Sequence, residues 1–240
     1  MKLRQLNLGR VNYRAGLELQ YQVKKSVLEA RGTPESHSPS ECLITCQHDP
    51  PVYTIGKRSS FYSKSEEMRL RKLGAQFFKT DRGGLITFHG PGQLVAYPII
   101  DIKKRGITVK EYVNRLEQLV MRVCDRFGLH DTYLLNESKY TGVWLKGRTK
   151  GGGIEKGVQT QRKICALGVN VSDGVTTHGL ALNVNTDLNW FSHVVPCGLE
   201  DCDVTSISQE LNETSLVVAD ALPIFIEEFV KSFKVSQFTT

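Results

Sequence analysis

Two hydrophobic periods alternate along this chain, and the switches between them mark out its elements. Residues 3–8 (LRQLNL) alternate apolar with polar, as a half-buried strand does. From Tyr13 to Ala30 the period lengthens to that of a helix, with Leu17, Tyr21, Val27 and Leu28 near one face. The polar stretch 32–40 reads as a loop. Strands are expected over 41–47 and 52–56, on either side of Pro50-Pro51. Ser63 with Glu66 three residues later predicts a capping box, opening a short helix that Gly74 closes. Residues 85–89 and 94–100 read as strands flanking the turn Gly90-Pro91-Gly92.

The clearest helical period lies over 109–127. There Tyr112, Val113, Leu116, Leu119, Val120, Val123 and Phe127 share a face, between a Thr108–Glu111 capping box and Gly128. Two more strands are expected over 163–171 and 176–184, a short helix over 205–211, and a last helix over 216–234, interrupted or restarted at Pro223. Strands mixed with helices and joined by short turns predict an α/β fold: a mixed β-sheet sandwich with flanking helices, one domain over 1–240. Residues 147–162 are Gly-rich, basic and nearly free of apolar side chains. They lack the spacing of a phosphate-binding loop and read as a flexible surface insertion.

Composition narrows the class. Apolar residues make up 40% and charged residues 23%, enough for a sizeable core, and no run of 18 apolar residues could span a membrane. The 31 basic residues exceed the 25 acidic ones, giving +6, which suits an acidic partner. The basic residues are dispersed, whereas a nucleic-acid-binding module would cluster them on one face among exposed aromatics. The six cysteines, Cys42, Cys46, Cys124, Cys165, Cys197 and Cys202, lack paired CxxC spacing, so neither a metal nor a disulfide framework is expected. Cys124 and Cys165 sit in apolar patterns and read as small core residues. Lys2, Arg4, Arg10 and Arg14 precede any acidic residue, a bias that suits a mitochondrial address.

Three segments carry more chemistry than packing requires. In Arg82-Gly83-Gly84-Leu85-Ile86-Thr87-Phe88-His89, followed by Gly-Pro-Gly-Gln-Leu94, glycines let the backbone turn or approach a ligand. Lys163-Ile-Cys-Ala166-Leu167-Gly168 is followed by Thr177-His178-Gly179-Leu180-Ala181-Leu-Asn183. Lys163 leads an apolar strand, where a lysine usually snorkels to water. In Val194-Val-Pro-Cys197-Gly-Leu199 the flanking proline and glycine place Cys197 on a turn, where a thiol is sterically open.

Taken in order, RGGxxTxHGPGQL, KIxALG, THGLALN and VPCGL resemble the lipoyl(octanoyl) transferases, over nearly the whole chain. The similarity begins at Leu8-Gly9-Arg10-Val-x-Tyr13 and runs through Thr141-Gly142-Val143-Trp144, Leu188-x-Trp190-Phe191 and Val204-Thr-Ser-Ile207. The Tyr-Thr-Gly-Val-Trp and Trp-Phe details are similar to the eukaryotic, mitochondrial branch, and the 147–162 insertion is the main departure. The resemblance implies the fold of the biotin and lipoate protein ligase catalytic domains. It also implies transfer of an octanoyl group from octanoyl-acyl carrier protein to a lysine of a lipoyl domain, through a cysteine thioester. Acceptors would be the lipoyl domains of 2-oxoacid dehydrogenase complexes and the glycine cleavage H protein. No cofactor, metal, nucleic acid or membrane span enters, and the location is the mitochondrial matrix, or the cytoplasm for a bacterial chain. With the similarity starting at Leu8, any mitochondrial signal is expected to overlap the folded domain.

Residue by residue, the family's nucleophile falls on Cys197 and its partner lysine on Lys163, which would lower the thiol pKa and move a proton. Its substrate contacts fall on Arg82–His89, Ala166–Gly168 and Gly179–Ala181, whose backbone N–H groups would help hold the acyl carbonyl oxygen. His89 and His178 have a polar role near the acyl slot or sit as satisfied core histidines. The rival readings are an ATP-dependent lipoate or biotin ligase, which needs no Cys197, a Cys-His hydrolase, and the nucleic-acid module.

Overall fold

The computed structural model describes residues 2–31, 40–57, 62–135, 137, 140–146, 161–194 and 202–239. In chain order its elements are β1 (Lys2–Val11), α1 (Tyr13–Glu29), β2 (Cys42–His48), β3 (Val52–Ile55), α2 (Lys64–Lys72), β4 (Gln76–Lys79), β5 (Ile86–His89) and β6 (Gln93–Ile99). There follow α3 (Val109–Arg126), β7 (Thr132–Tyr133), β8 (Gly142–Lys146), β9 (Gln161–Ser172) and β10 (Val175–Asn183). A 3-10 helix (Leu188–His193), β11 (Cys202–Val204), α4 (Ile207–Leu211), α5 (Val218–Phe233) and β12 (Gln237–Thr239) complete it.

Among the described residues, nine strands form a mixed sheet ordered β12-β1-β2-β6-β10-β9-β8-β7, with β11 lying parallel to the start of β9. A second sheet has the order β4-β3-β5. Strand alternation divides the large sheet between two cores. Leu94 and Ala96 of β6, with Leu180 and Leu182 of β10, face α3 and α5. Val95, Tyr97, Ile99 and Ala181 face α1 instead. Tyr53, Ile55, Ile86 and Phe88 of the small sheet bury against Leu70 of α2 and Phe191. The mixed sheet with flanking helices is therefore the architecture expected from the pattern.

Local signals worked where the chain could satisfy them alone. Ser63 and Thr108 each accept the N–H of the residue three positions on, Glu66 and Glu111, at 3.2 Å. Asp173 and Gly174 both take positive φ between β9 and β10, a geometry that matches the right-handed twist of a two-residue hairpin.

Long-range packing changed three readings. The buried stripe of α1 is Tyr13, Gly16, Gln20, Val23 and Val27, and Tyr21 is exposed, because Gly16 and Gln20 meet the sheet. β5 and β6 flank the Gly90-Pro91-Gly92 turn as expected, and that turn carries the chain from the small sheet to the large one. α5 runs unbroken through Pro223 near its start, sacrificing one backbone hydrogen bond rather than the buried face of Phe225, Phe229 and Phe233. The stretch read as an insertion is two residues too long, since Gln161 and Arg162 pair with Lys146 and Leu145 inside β9. Residues 147–160 lie outside the described residues.

Candidate active site

A cleft opens where the two sheets diverge. β9 contributes Ala166, Leu167 and Gly168, and β10 contributes Gly179, Leu180 and Ala181. Arg82, Gly84, Thr87 and His89 approach from the small sheet and its preceding loop, and Tyr13, Tyr97 and His178 complete the lining. Only about 40 Å³ of the cleft admits the centre of a water-sized sphere, so it is a narrow slot rather than a wide chamber.

The Arg82–His89 segment divides in two. Along β5 the side chains alternate, so Thr87 and His89 face the cleft while Ile86 and Phe88 enter the small-sheet core. The Arg82 guanidinium is buried and donates to the carbonyl oxygens of Thr54 (2.7 Å), Gly83 (2.8 Å) and Leu85 (2.9 Å), and to the Thr54 hydroxyl (2.9 Å). It staples its own loop to β3. Gly83 donates its N–H to the Val169 carbonyl at 2.9 Å, so neither Gly83 nor Leu85 lines the cleft, and that N–H is already engaged within the fold.

The histidines sort by environment. The buried His89 donates from Nδ1 to Gln93 Oε1 (2.9 Å), and Nε2 accepts from the Thr54 hydroxyl (3.3 Å). His48 donates from Nδ1 to the Val11 carbonyl (3.2 Å) and accepts the Tyr97 hydroxyl at 2.7 Å. Burial pushes His48 down to about 4 and His89 well below the usual imidazole value, so both are neutral near pH 7. His178 differs. It holds φ +58°, in the left-handed region, with its N–H donating to Gln20 Oε1 at 2.7 Å and Nε2 donating to Asp81 Oδ1 at 2.8 Å. Asp81 also accepts from the Tyr21 hydroxyl (3.1 Å) and from Asn170 (2.7 Å). The His178 hydrogen bond holds its carboxyl low, at about 2.

Lys163 does not snorkel to water. It is 6% exposed, with Nζ donating to the Thr141 carbonyl (3.2 Å) and lying 4.4 Å from the centroid of the Trp144 ring. A shift of register between Val143 and Trp144 sets Trp144 opposite Lys163. On the other side of β9, Val204 stands opposite Lys163, and the Thr205 N–H donates to the Lys163 carbonyl at 3.0 Å. Cys197 lies outside the described residues, but both flanks of its segment are placed. Val194 packs on the small-sheet core, and Cys202 opens β11. The described chain thus resumes at Cys202 opposite Gln161 and reaches Lys163 at Val204.

Sequence reasoning passed over Tyr13, Thr54, Asp81 and Tyr97. Their signal was faint: each is one polar group in an apolar or loop context, and only the fold brings them to one place. Among the described residues no cluster could hold a metal ion, and no helix is long and apolar enough to cross a membrane.

Against known proteins, the lipoyl protein ligase A/B catalytic domain matches residues 18–233. The chain belongs to that family. Within it, the mitochondrial octanoyl-[acyl-carrier-protein]:protein N-octanoyltransferase of Danio rerio is 42% identical over 95% of this chain and 91% of its own length. That of Homo sapiens is 41% identical over 97% and 94%. The octanoyltransferase of Bacteroides fragilis is 47% identical over 72% of each chain. Identity at this level over almost the full length places the chain among the octanoyltransferases, as the motifs implied. Two solved structures share the fold. Lipoate-protein ligase A bound with ATP superposes with a TM-score of 0.66 at 18% identity, over 100% of this chain and 90% of that one. A bipartite lipoate protein ligase from Thermoplasma acidophilum gives 0.64 at 16%, over 100% and 88%.

Proposed function

We propose that this protein transfers an octanoyl group from octanoyl-acyl carrier protein to a lysine amine of a lipoyl-bearing protein, through a thioester on Cys197. The observation that carries the reading is near-full-length identity to enzymes named for that transfer. The burial of Lys163 on the strand that pairs with β11, a few residues after Cys197 in sequence, supports it.

Two exchanges complete the reaction. In the first, the Cys197 thiolate attacks the donor thioester, forming a new C–S bond and expelling the carrier thiolate. In the second, the acceptor amine attacks the acyl-enzyme, the C–S bond breaks, and an amide forms. A free thiol of pKa about 8.5 is only a few per cent ionised at pH 7, so the Lys163 ammonium would raise the reactive fraction. The departing amine proton ends on the sulfur, with Lys163 as its carrier. Thioester exchange is nearly isoenergetic and amide formation is downhill, so the balance needs no nucleotide. That separates this reading from an ATP-dependent ligase on the same fold. The cleft between Gly168 and Gly179 would take the acyl chain, with Thr87, Leu167 and Leu180 beside it. The charge of +6 complements an acidic carrier protein. Lipoyl domains of 2-oxoacid dehydrogenase complexes and the glycine cleavage H protein are the acceptors, and the mitochondrial matrix is the location, a reading supported by relatives named mitochondrial.

Intact-mass spectrometry after mixing with octanoyl-acyl carrier protein tests it. One octanoyl adduct on Cys197, discharged by a lipoyl domain without nucleotide, is expected. Modification of the acceptor only with ATP would replace this reading by the ligase.

A further inference from the structure

Lys163 and Glu117 sit at opposite ends of one peptide unit. The Thr141 carbonyl accepts the Lys163 ammonium at 3.2 Å, and the Gly142 N–H of that same amide donates to Glu117 Oε1 at 2.9 Å. A carboxylate at the N–H end pushes electron density toward the carbonyl oxygen, which strengthens its hold on the cation at the other end. Glu117 comes from the middle of α3, within one turn of the buried Leu116, Leu119 and Val120, so its backbone is rigidly placed. Gly142 is required in between. Its φ is +139°, and a Cβ there would lie 2.6 Å from the Cys165 carbonyl and 3.3 Å from Lys163 Cε.

The residue type is informative. A glutamine would hold the Gly142 N–H equally well, without the cost of a half-buried charge. Burial does raise the Glu117 carboxyl above its usual value, against the opposing pull of the Gly142 N–H and of the Lys163 charge. The titratable groups that interact here include Glu117 on α3, Lys163 and Cys165 on β9, and Cys124 on α3. Both thiols are buried and pushed up, so near neutral pH Glu117 is the anion in this set.

We propose that Glu117 is a positioning residue for Lys163, fixing the place and the protonation of its ammonium through the Thr141–Gly142 peptide. This rests on the proposed function only for its consequence in catalysis; the coupling itself is independent of it.

The test is competitive acetylation of Lys163 in the full chain, with acetic anhydride as the probe, read by peptide mass spectrometry between pH 7 and 10. Glu117→Gln keeps an acceptor for Gly142 but removes the charge. It is expected to leave Tm unchanged, to move the Lys163 profile to lower pH, and to raise labelling at pH 8 roughly three- to tenfold. Glu117→Asp, which keeps the charge but shortens the reach, should fall between the two. An unshifted profile in both variants overturns the proposal. On the activity side, Glu117→Gln should lower kcat with little change in KM, and should add nothing in a Lys163→Ala background. Equal losses with and without Lys163 would also overturn it. A shifted labelling profile in Glu117→Gln, with full transfer by Lys163→Ala, would leave this coupling standing and remove Lys163 from the reaction.

Discussion

Gly168 and Gly179 face each other directly across the β9–β10 pair. Both border the cleft, beside Ala166, Leu167, Leu180 and Ala181 of the same two strands. The two glycines are constrained differently. A Cβ on Gly179 would lie 2.1 Å from the Ala96 carbonyl, inside the sheet. One on Gly168 would lie 3.1 Å from Arg82 Cδ and from the Gly83 carbonyl, at the cleft.

Gly179→Ala is therefore expected to act on stability. Forcing β6 away from β10 should cost about 2–3 kcal/mol and lower Tm by roughly 5–10 °C. Gly168→Ala should shift Tm much less but weaken octanoyl transfer by narrowing the cleft. Calorimetry beside a transfer assay separates them, and the reverse ranking of the Tm values would show that β10 yields where β9 does not.

The thiols should separate as cleanly. Cys197→Ser is expected to abolish the acyl adduct and transfer together, since an alkoxide is not available near pH 7. Cys202, half-buried at the start of β11, should be dispensable, and Cys202→Ala should keep its adduct. An adduct that vanishes only in Cys202→Ala would place the nucleophile on β11.

Lys146 and Gln161 are register partners, so the segment between them leaves and returns at one point. Replacing residues 147–160 by Asn-Gly should close β8 onto β9 as a two-residue hairpin, in the way Asp173-Gly174 closes β9 onto β10. Tm is expected to stay within about 3 °C, the size of a shift worth 1 kcal/mol or less. Loss of transfer at unchanged Tm would assign the segment a contact with a protein partner.

Mild acid should destabilise the fold. The folded-state value of His48, about 4, lies below its ordinary 6.5, so between those values the unfolded chain binds the extra proton. Its contribution is complete above pH 6.5 and is lost as pH falls toward 4, and His89 acts in the same direction. Tm should fall steadily from pH 7 to pH 5. His48→Gln should be less stable at pH 8 but lose less on acidification; an equally steep loss in the variant would move the effect to other groups.

Lys163 shows how far a residue's neighbourhood can differ from its local pattern. At the head of an apolar strand it looked like a lysine reaching for water, but Trp144, Thr141 and Val204 enclose it, from positions 19, 22 and 41 residues away in sequence. Arg82 is the converse case. Its glycine-rich setting marked it for a ligand; the fold keeps it in the cleft wall and also engages its donors with Thr54, Gly83 and Leu85.

Local pattern was enough for the helices, their caps and most of the strands, because a hydrophobic period and a Ser63 or Thr108 cap are satisfied within a few residues. Motif order was enough for the family, because the spacing of chemically special residues survives in the linear chain. Neither could say which strands pair. β5 and β6 adjoin in sequence yet lie in different sheets, and β11 reaches β9 across forty residues. Strand pairing is a long-range choice: each strand offers the same backbone donors and acceptors to any neighbour, and only the burial of both faces selects among them. The cleft, the enclosure of Lys163 and the carboxylate behind it follow from that selection, since their parts are far apart until the sheets close.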